Sequence, residues 1–262
     1  DESATDRVWG GTFHSVANRL LRIERRAIGL HEGFTVIDQG DAADLMNIVR
    51  NELGVAKGNR RFPRKETLVR MYSRTVNAGD KLSSVLERHF PWGSEDIDGI
   101  RPIFEGYTRR KRDNNVLDYD DLLLFWKALV TRSPAADSVS DRFEHILVDE
   151  YQDTNALQGD ILVAMRQRIP NIMVVGDDAQ SIYSFRAATV RNILDFPKHF
   201  PGADTVTLEQ NYRSTEPILE ASNAVMEQAQ ERYTKNLWSQ RPSGQKPVLI
   251  TCTDEPEQSL AV

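Results

Sequence analysis

Two acids stand side by side at the end of an apolar run, Ile146-Leu147-Val148-Asp149-Glu150. A carboxylate at such a place can hold Mg²⁺, which takes oxygen ligands and keeps several of its waters. Its neighbour can orient and deprotonate an attacking water. The plain alternative is a strand that ends where the next residue meets solvent. A second apolar pair, Val174-Val175, leads into Gly176-Asp177-Asp178-Ala179-Gln180-Ser181-Ile182-Tyr183-Ser184-Phe185-Arg186. Gly176 permits a sharp turn. Gln180 offers both a donor and an acceptor and can sense a terminal phosphate. Tyr183 and Phe185 can offer stacking faces to unpaired bases, at about 1–3 kcal/mol per base, or both rings can be core residues. A third cluster is Leu208-Glu209-Gln210-Asn211-Tyr212-Arg213-Ser214-Thr215. Arg213 can stabilise charge on a transferred phosphoryl group, as an arginine finger does, and Tyr212 can stack on a base. The plain alternative for Arg213 is a surface salt bridge, which is worth little.

Positioning these groups takes short buried strands with helices between them. Phe143–Val148 reads as one strand and Ile172–Val175 as a second, with short strands also expected at 205–208 and 247–252. Asp118 is expected to cap a helix running to about 131, followed by a loop at Ser133–Ser140. Thr154 is expected to cap a helix at 155–168, with further helices near 189–199 and 216–230. Strands alternating with helices predict a parallel α/β sheet. In such sheets ligands sit beyond the carboxyl ends of the strands, where Asp149-Glu150 and Gly176–Gln180 fall. Upstream, Phe13, Val16, Ala17, Leu20 and Leu21 recur at helical spacing, with Thr12 as N-cap, so 12–28 reads as an amphipathic helix. From about 30 to 115 the chain is charge-rich, with helical patterns near 41–53, 64–77, 81–89 and 95–112. Breaks at Gly58-Asn59 and Pro91-Trp92-Gly93 separate them, as in a small helical domain.

Composition narrows the class. Of the 262 residues, 40% are hydrophobic and 27% charged, which suits a globular protein. No apolar run approaches the roughly 20 residues of a membrane helix. Cys252 is the single cysteine, so there is no internal disulfide and no Cys/His zinc pattern. The expected compartment is the cytoplasm. A net charge of -6 argues against nucleic-acid binding by charge alone. Local distribution matters more than the total, and two basic clusters occur, Arg60-Arg61 with Arg64-Lys65, and Arg109-Arg110-Lys111-Arg112. They read as two solvated faces, the second also as a candidate for DNA contact. The chain opens Asp1-Glu2-Ser3, with no Met and no signal pattern, and is expected to be a fragment.

Five segments together resemble the UvrD/Rep-type superfamily 1A DNA helicases. They are Gly11 to Ser15, Leu117 to Leu123, Val148 to Asn155, Gly176 to Arg186, and Leu208 to Thr215. In that order they resemble motifs Ib, Ic, II, III and IV, and the resemblance covers essentially the whole chain. It implies an α/β fold: a RecA-like P-loop NTPase motor domain with a helical insertion subdomain and the start of a second RecA-like domain. Residues 1–29 and 113–203 would form the first motor domain, 30–112 the insertion, and 204–262 the opening of the second. It implies ATP and Mg²⁺ as ligands, with Asp149 holding the metal and Glu150 as catalytic base. Gln180 and Arg213 would reach the γ-phosphate, and Tyr212 would stack on adenine. Thr12, Phe13, His14, Tyr183, Phe185 and Arg186 would line single-stranded DNA. Expected partners are single strands, single/double-strand junctions and proteins of repair or replication, with no membrane. The implied direction is 3′ to 5′.

The sequence departs from the family at several places. Phe185 stands where many relatives carry Trp, so weaker stacking is expected. Tyr151 stands where many carry Phe, and Ala179 replaces an acid often found there. No Gly-x-x-x-x-Gly-Lys-Ser/Thr occurs, the loop that cradles phosphates with backbone N–H groups and a lysine. The chain is therefore expected to be trimmed at both ends and, alone, to hydrolyse ATP poorly or not at all. Two other readings stay open: a helicase subunit of a RecB/AddA-type helicase–nuclease, and a non-catalytic DNA-binding scaffold on a degenerate motor fold. A nucleotide-binding protein unrelated to DNA would explain Asp149-Glu150 but not the loop from Gln180 to Arg186.

Overall fold

The computed structural model describes residues 7–55 and 62–261. The Gly58-Asn59 break, Arg60-Arg61 and the Asp1-Glu2-Ser3 start lie outside them. The chain divides into two compact units, Asp1–Phe200 and Pro201–Val262.

The first unit contains two hydrophobic cores. One joins helices α1 (Phe13–Glu24), α6 (Tyr119–Arg132) and α8 (Ala156–Met165), through Ala17, Leu20, Leu21, Leu123, Trp126 and Ile161. Helix α1 starts as its sequence predicts, because the Thr12 hydroxyl accepts the Ser15 N–H. Its last turn tightens into a 3-10 segment, Arg25–Ile28, closed by Gly29 in the left-handed region.

The second core lies within a bundle of four helices. Helices α2 (Gln39–Glu52), α3 (Lys65–Ala78), α4 (Leu82–His89) and α5 (Ile97–Asp113) bury Met46, Leu68, Met71, Leu86, Ile100 and Ile103. Strands β1 (Thr35–Val36) and β2 (Val116–Leu117) pair in parallel where the chain enters and leaves this bundle. That pairing had no sequence signal, because each strand is two residues long. Lys111, read as part of a solvated basic face, is instead buried. Its ammonium lies 2.6 Å from both Asp118 and Asp121, and the Tyr107 hydroxyl donates to Asp118 at 2.7 Å. Arg110 pairs with Glu52 and Lys65 with Asp44. Arg64, Arg109 and Arg112 are exposed.

Between α6 and α8 the expected loop contains helix α7 (Ala136–Asp141), which turns Val139 into the first core. Strands β3 (Ile146–Val148) and β4 (Ile172–Val174) run parallel, with Leu147 opposite Met173. Helix α8 is the crossover between them, the connection parallel strands need. Its cap is Asn155, not Thr154. Asn155 accepts the Gln158 N–H while Gln158 accepts the Asn155 N–H, a reciprocal capping box. The Thr154 hydroxyl donates instead to the Tyr151 carbonyl, closing the preceding turn. The helix expected over 189–199 is two short ones, α9 (Arg191–Leu194) and α10 (Phe196–His199). Pro197 cannot donate within a continuous helix and its ring would strike the carbonyl one turn back, so the path breaks at Asp195.

In the second unit, α11 (Glu216–Met226) ends four residues before its expected end at 230. The amides of Gln228 and Ala229 bond three residues back, to Val225 and Met226, which tightens the chain out of the helix. Helix α12 (Glu255–Ala261) has no counterpart among the expected elements, and Asp254 caps it by accepting the Glu257 N–H. The strands expected at 205–208 and 247–252 do not form among the described residues. A single bridge, Gln210 to Trp238, is the only pairing described there. A strand exists by its ladder partner, and Val206, Leu208, Val248 and Leu249 remain exposed without one.

Candidate functional site

Strands β3 and β4 deliver two acidic turns to one edge. The ladder continues past Val148, with the Val175 N–H donating to the Val148 carbonyl at 2.8 Å and the Tyr151 N–H to Val175 at 2.9 Å. Asp149 and Glu150 therefore emerge beside Gly176 and Asp177. Both acids are exposed. Glu150 holds φ at 49°, a left-handed conformation costly for a residue with a Cβ. Its N–H donates to Asp149 Oδ1 at 2.9 Å.

Gln152 ties the two turns together, and sequence reasoning missed it. It is 1% exposed. Its Nε2 donates to Glu150 Oε2 at 2.8 Å, and its Oε1 accepts the Asp177 N–H at 3.0 Å. Asp177 in turn holds Gln180, whose Nε2 donates to Asp177 Oδ2 at 2.8 Å, while the Ala179 N–H donates to the other oxygen at 3.0 Å. A continuous path of hydrogen bonds thus runs Glu150, Gln152, Asp177, Gln180. The two acids fit the sequence rule of a strand ending in carboxylates, but no rule marks the glutamine two residues on. Gly176 is required here for space: a Cβ would fall 2.5 Å from Gln152 Oε1 and 2.9 Å from Ile193 Cδ1.

Burial, and then the neighbouring Glu150 carboxylate, hold the Asp153 carboxyl above its usual range. Tyr151 is fully buried and meets Phe196 edge-on at 5.6 Å. Among the described residues no cluster of three or more His, Cys, Asp or Glu side chains could itself hold a metal. Mg²⁺ at a phosphate site needs no such cluster, since one or two carboxylates suffice beside phosphate oxygens and water. Asp149 fits that requirement, because it is exposed and, among the described residues, its carboxylate accepts only the Glu150 N–H.

The aromatic pair is not in the core. Phe185 is 69% exposed and Tyr183 36%, with ring centroids 5.8 Å apart and planes inclined by 52°. Tyr183 precedes and Phe185 lies within the 3-10 turn Ser184–Arg186, which ends in Ala187 at a φ of 63°. At the start of α1, Thr12 is exposed beside its capping bond. Phe13 is half-buried with its ring centroid 6.0 Å from that of Trp126. His14 meets Tyr119 edge-on at 5.7 Å, and burial lowers its pKa, which favours the neutral ring. The first unit thus brings Asp149, Glu150 and Gln180 into one bonded network, and leaves Thr12, Phe13 and His14 outside it.

In the second unit Asn211 folds the 210–214 segment, its Oδ1 accepting the N–H groups of Arg213 and Ser214 at 2.9 and 2.7 Å. Arg241 donates to the carbonyls of Tyr212 and Arg213 at 3.3 and 2.7 Å. Tyr212 is 76% exposed and donates to Gln210 Oε1 at 2.9 Å. Arg213 is exposed, and among the described residues no carboxylate lies within ion-pair distance, so the plain salt-bridge alternative finds no partner.

Comparisons with known proteins cover both units. The family model for the UvrD/REP helicase N-terminal domain matches residues 1–201, and that for the UvrD-like helicase C-terminal domain matches residues 206–262. The chain is similar to the ATP-dependent DNA helicase PcrA of Leuconostoc citreum, with 38% identity over 240 residues, 90% of this chain and 31% of that protein. It is 35% identical over 242 residues to the ATP-dependent DNA helicase PcrA of Staphylococcus aureus strain Mu50, covering 91% of this chain and 32% of that one. The PcrA of Staphylococcus epidermidis is 34% identical over 241 residues. The chain spans about a third of the length of these curated relatives. Among the described residues no helix is long and apolar enough to cross a membrane.

Proposed function

The chain belongs to the UvrD/Rep helicase family, and on that premise we propose that it supplies hydrolytic and strand-gripping parts of an ATP-dependent DNA helicase that moves along single strands. The observation that carries this reading is the path from Glu150 through Gln152 and Asp177 to Gln180. It links a carboxylate suited to activating water with an amide suited to sensing a phosphate, next to an exposed aromatic pair.

The roles follow from chemistry at each position. Asp149 is the ligand for Mg²⁺, which when bound neutralises phosphate charge during transfer. Glu150 orients the attacking water and takes its proton, and Gln152 fixes the carboxylate that does so. Gln180 contacts the γ-phosphate, and the bonded path through Asp177 and Gln152 couples it to Glu150. Arg213 stabilises charge on the transferred phosphoryl, and Tyr212 stacks on adenine. Tyr183, Phe185 and Arg186, with Thr12, Phe13 and His14, form the single-strand contact. We assign residues 1–29 and 113–203 to the first motor domain, 30–112 to its insertion and 204–262 to the second. The proposed setting is cytoplasmic, on single strands and single/double-strand junctions, with 3′-to-5′ movement in DNA repair or replication.

The test is strand separation by the full-length protein on duplexes carrying a 3′ or a 5′ single-stranded tail. ATP-dependent unwinding of the 3′-tailed duplex alone is expected. Tight tail binding with no unwinding of either duplex would contradict the reading.

A further inference from the structure

Helix α3 of the insertion presents three polar residues, Ser73, Arg74 and Asn77, to other parts of the first unit. Two of them anchor the helix. The Ser73 hydroxyl and the Asn77 amide donate to Asp120 Oδ1 at 2.9 and 2.7 Å. Asn77 Oδ1 also accepts from Asn155 Nδ2 at 2.9 Å. Beneath them, Leu68 and Met71 are wholly buried in the insertion core. The helix is thus held from both sides.

Arg74 reaches out from this fixed base. Its Nη1 donates to the carbonyls of Ser184 at 2.9 Å and Phe185 at 3.2 Å, more than a hundred residues along the chain. Those carbonyls belong to the one-turn helix that carries the Phe185 ring, and the Ala187 N–H also donates to the Ser184 carbonyl at 3.0 Å. The turn exits through Ala187 at positive φ, a conformation that a residue with a Cβ does not favour and that surrounding contacts must hold. Arg74 Nε is buried without a partner, and among the described residues no carboxylate lies within ion-pair distance of the guanidinium. Among the described residues its hydrogen bonds are to these two carbonyls.

We propose that Arg74 is a positioning residue that braces the Ser184–Arg186 turn, so that the helical insertion sets the stance of the Tyr183–Phe185 pair toward unpaired bases. The inference rests on the reading of those rings as base-stacking faces. It makes the insertion a part of the strand grip without requiring that it touch DNA at this point. A movement of α3 relative to the loop would alter stacking through two hydrogen bonds.

The experiment uses the full-length protein with Arg74→Ala, Arg74→Lys and the double variant Tyr183→Ala/Phe185→Ala, each first shown to be folded by its thermal transition. Three quantities are read: the DNA concentration giving half-maximal ATP turnover, the fluorescence of single strands carrying 2-aminopurine, and amide hydrogen exchange at 184–188. Arg74→Ala is expected to raise the half-maximal DNA concentration about tenfold, within the range of one lost stacking contact. It should blunt the 2-aminopurine change, speed exchange at Ala187 and leave DNA-free turnover unaltered. Arg74→Lys, which can still donate to a carbonyl, should recover part of each. If the double variant weakens DNA binding and Arg74→Ala does not, the brace is overturned while the stacking reading stands. If the double variant binds DNA normally, the stacking reading fails. The contact itself is then decided by exchange: unchanged protection in Arg74→Ala overturns it, and faster exchange upholds it.

Discussion

Gln152 uses both ends of its amide, one on Glu150 and one on the Asp177 N–H, and it is buried while doing so. Removing it leaves the Asp177 N–H without that acceptor and releases the Glu150 carboxylate to rotate. A small misplacement of a catalytic group is costly. Gln152→Ala is therefore expected to lower the DNA-stimulated turnover number of the full-length protein by about 10–100-fold, with a smaller change in the KM for ATP. Gly176→Ala should reproduce the defect, because its methyl group would fall 2.5 Å from Gln152 Oε1. Steady-state kinetics check both, and wild-type turnover in either variant would show that the bridge does not position the base. The placement of Asp149, Glu150 and Gln180 beyond strand ends was legible in the sequence because each follows an apolar run, while their proposed roles came from the family resemblance. Gln152 was not, because its importance depends on which turn lies next to it, and adjacency of β3 and β4 is a tertiary fact.

At the scale of elements, the join between α5 and α6 rests on charge. Lys111 sits between Asp118 and Asp121 in a nearly solvent-free position. Burial opposes its charge, but the two carboxylates outweigh it and raise its pKa. Lys111→Met would leave two buried acids without their cation, and removing one partner of a buried pair typically costs about 3–5 kcal/mol. Denaturant unfolding should show that loss, and a change below about 1 kcal/mol would mean the acids are met by other groups. Asp120, next to the Asp118 cap, carries a pH signature. Burial, followed by the Asp118 carboxylate, pushes its pKa up to about 6 from an ordinary 3.8. The folded state therefore holds this proton more tightly than the unfolded chain does. Its contribution to stability is greatest below the unfolded value and is lost as pH rises through about 6. Compared with Asp120→Asn, the wild-type protein is expected to lose stability between pH 4 and pH 6. Parallel stability profiles would contradict it. Caps written locally, Thr12 and Asp118, were read correctly, whereas Thr154 lost its cap to Asn155 because a reciprocal box outcompetes a single hydroxyl.

Over the whole molecule, the α/β class and the helices between about 39 and 113 were visible because amphipathic spacing and alternating strands are local patterns. The two-residue strands β1 and β2 were not, since they are defined by each other across the whole helical bundle between them. The unformed strands near 205–208 and 247–252 fail for the same reason in reverse: apolar β-formers predict a strand only where a ladder partner exists. Each unit carries its own part of the proposed chemistry, the acid–amide path and aromatic pair in the first, Tyr212 and Arg213 in the second. Glu150 is proposed as the base of an ATP hydrolysis that answers to DNA. The measurement that tests it most directly is ATP turnover by the full-length protein, with and without single-stranded DNA, beside Glu150→Gln. Turnover that rises on adding DNA, and is lost in the folded variant while ATP and DNA still bind, is the predicted result. DNA-stimulated turnover that persists in Glu150→Gln, or a folded wild-type protein with no turnover in either condition, would contradict it.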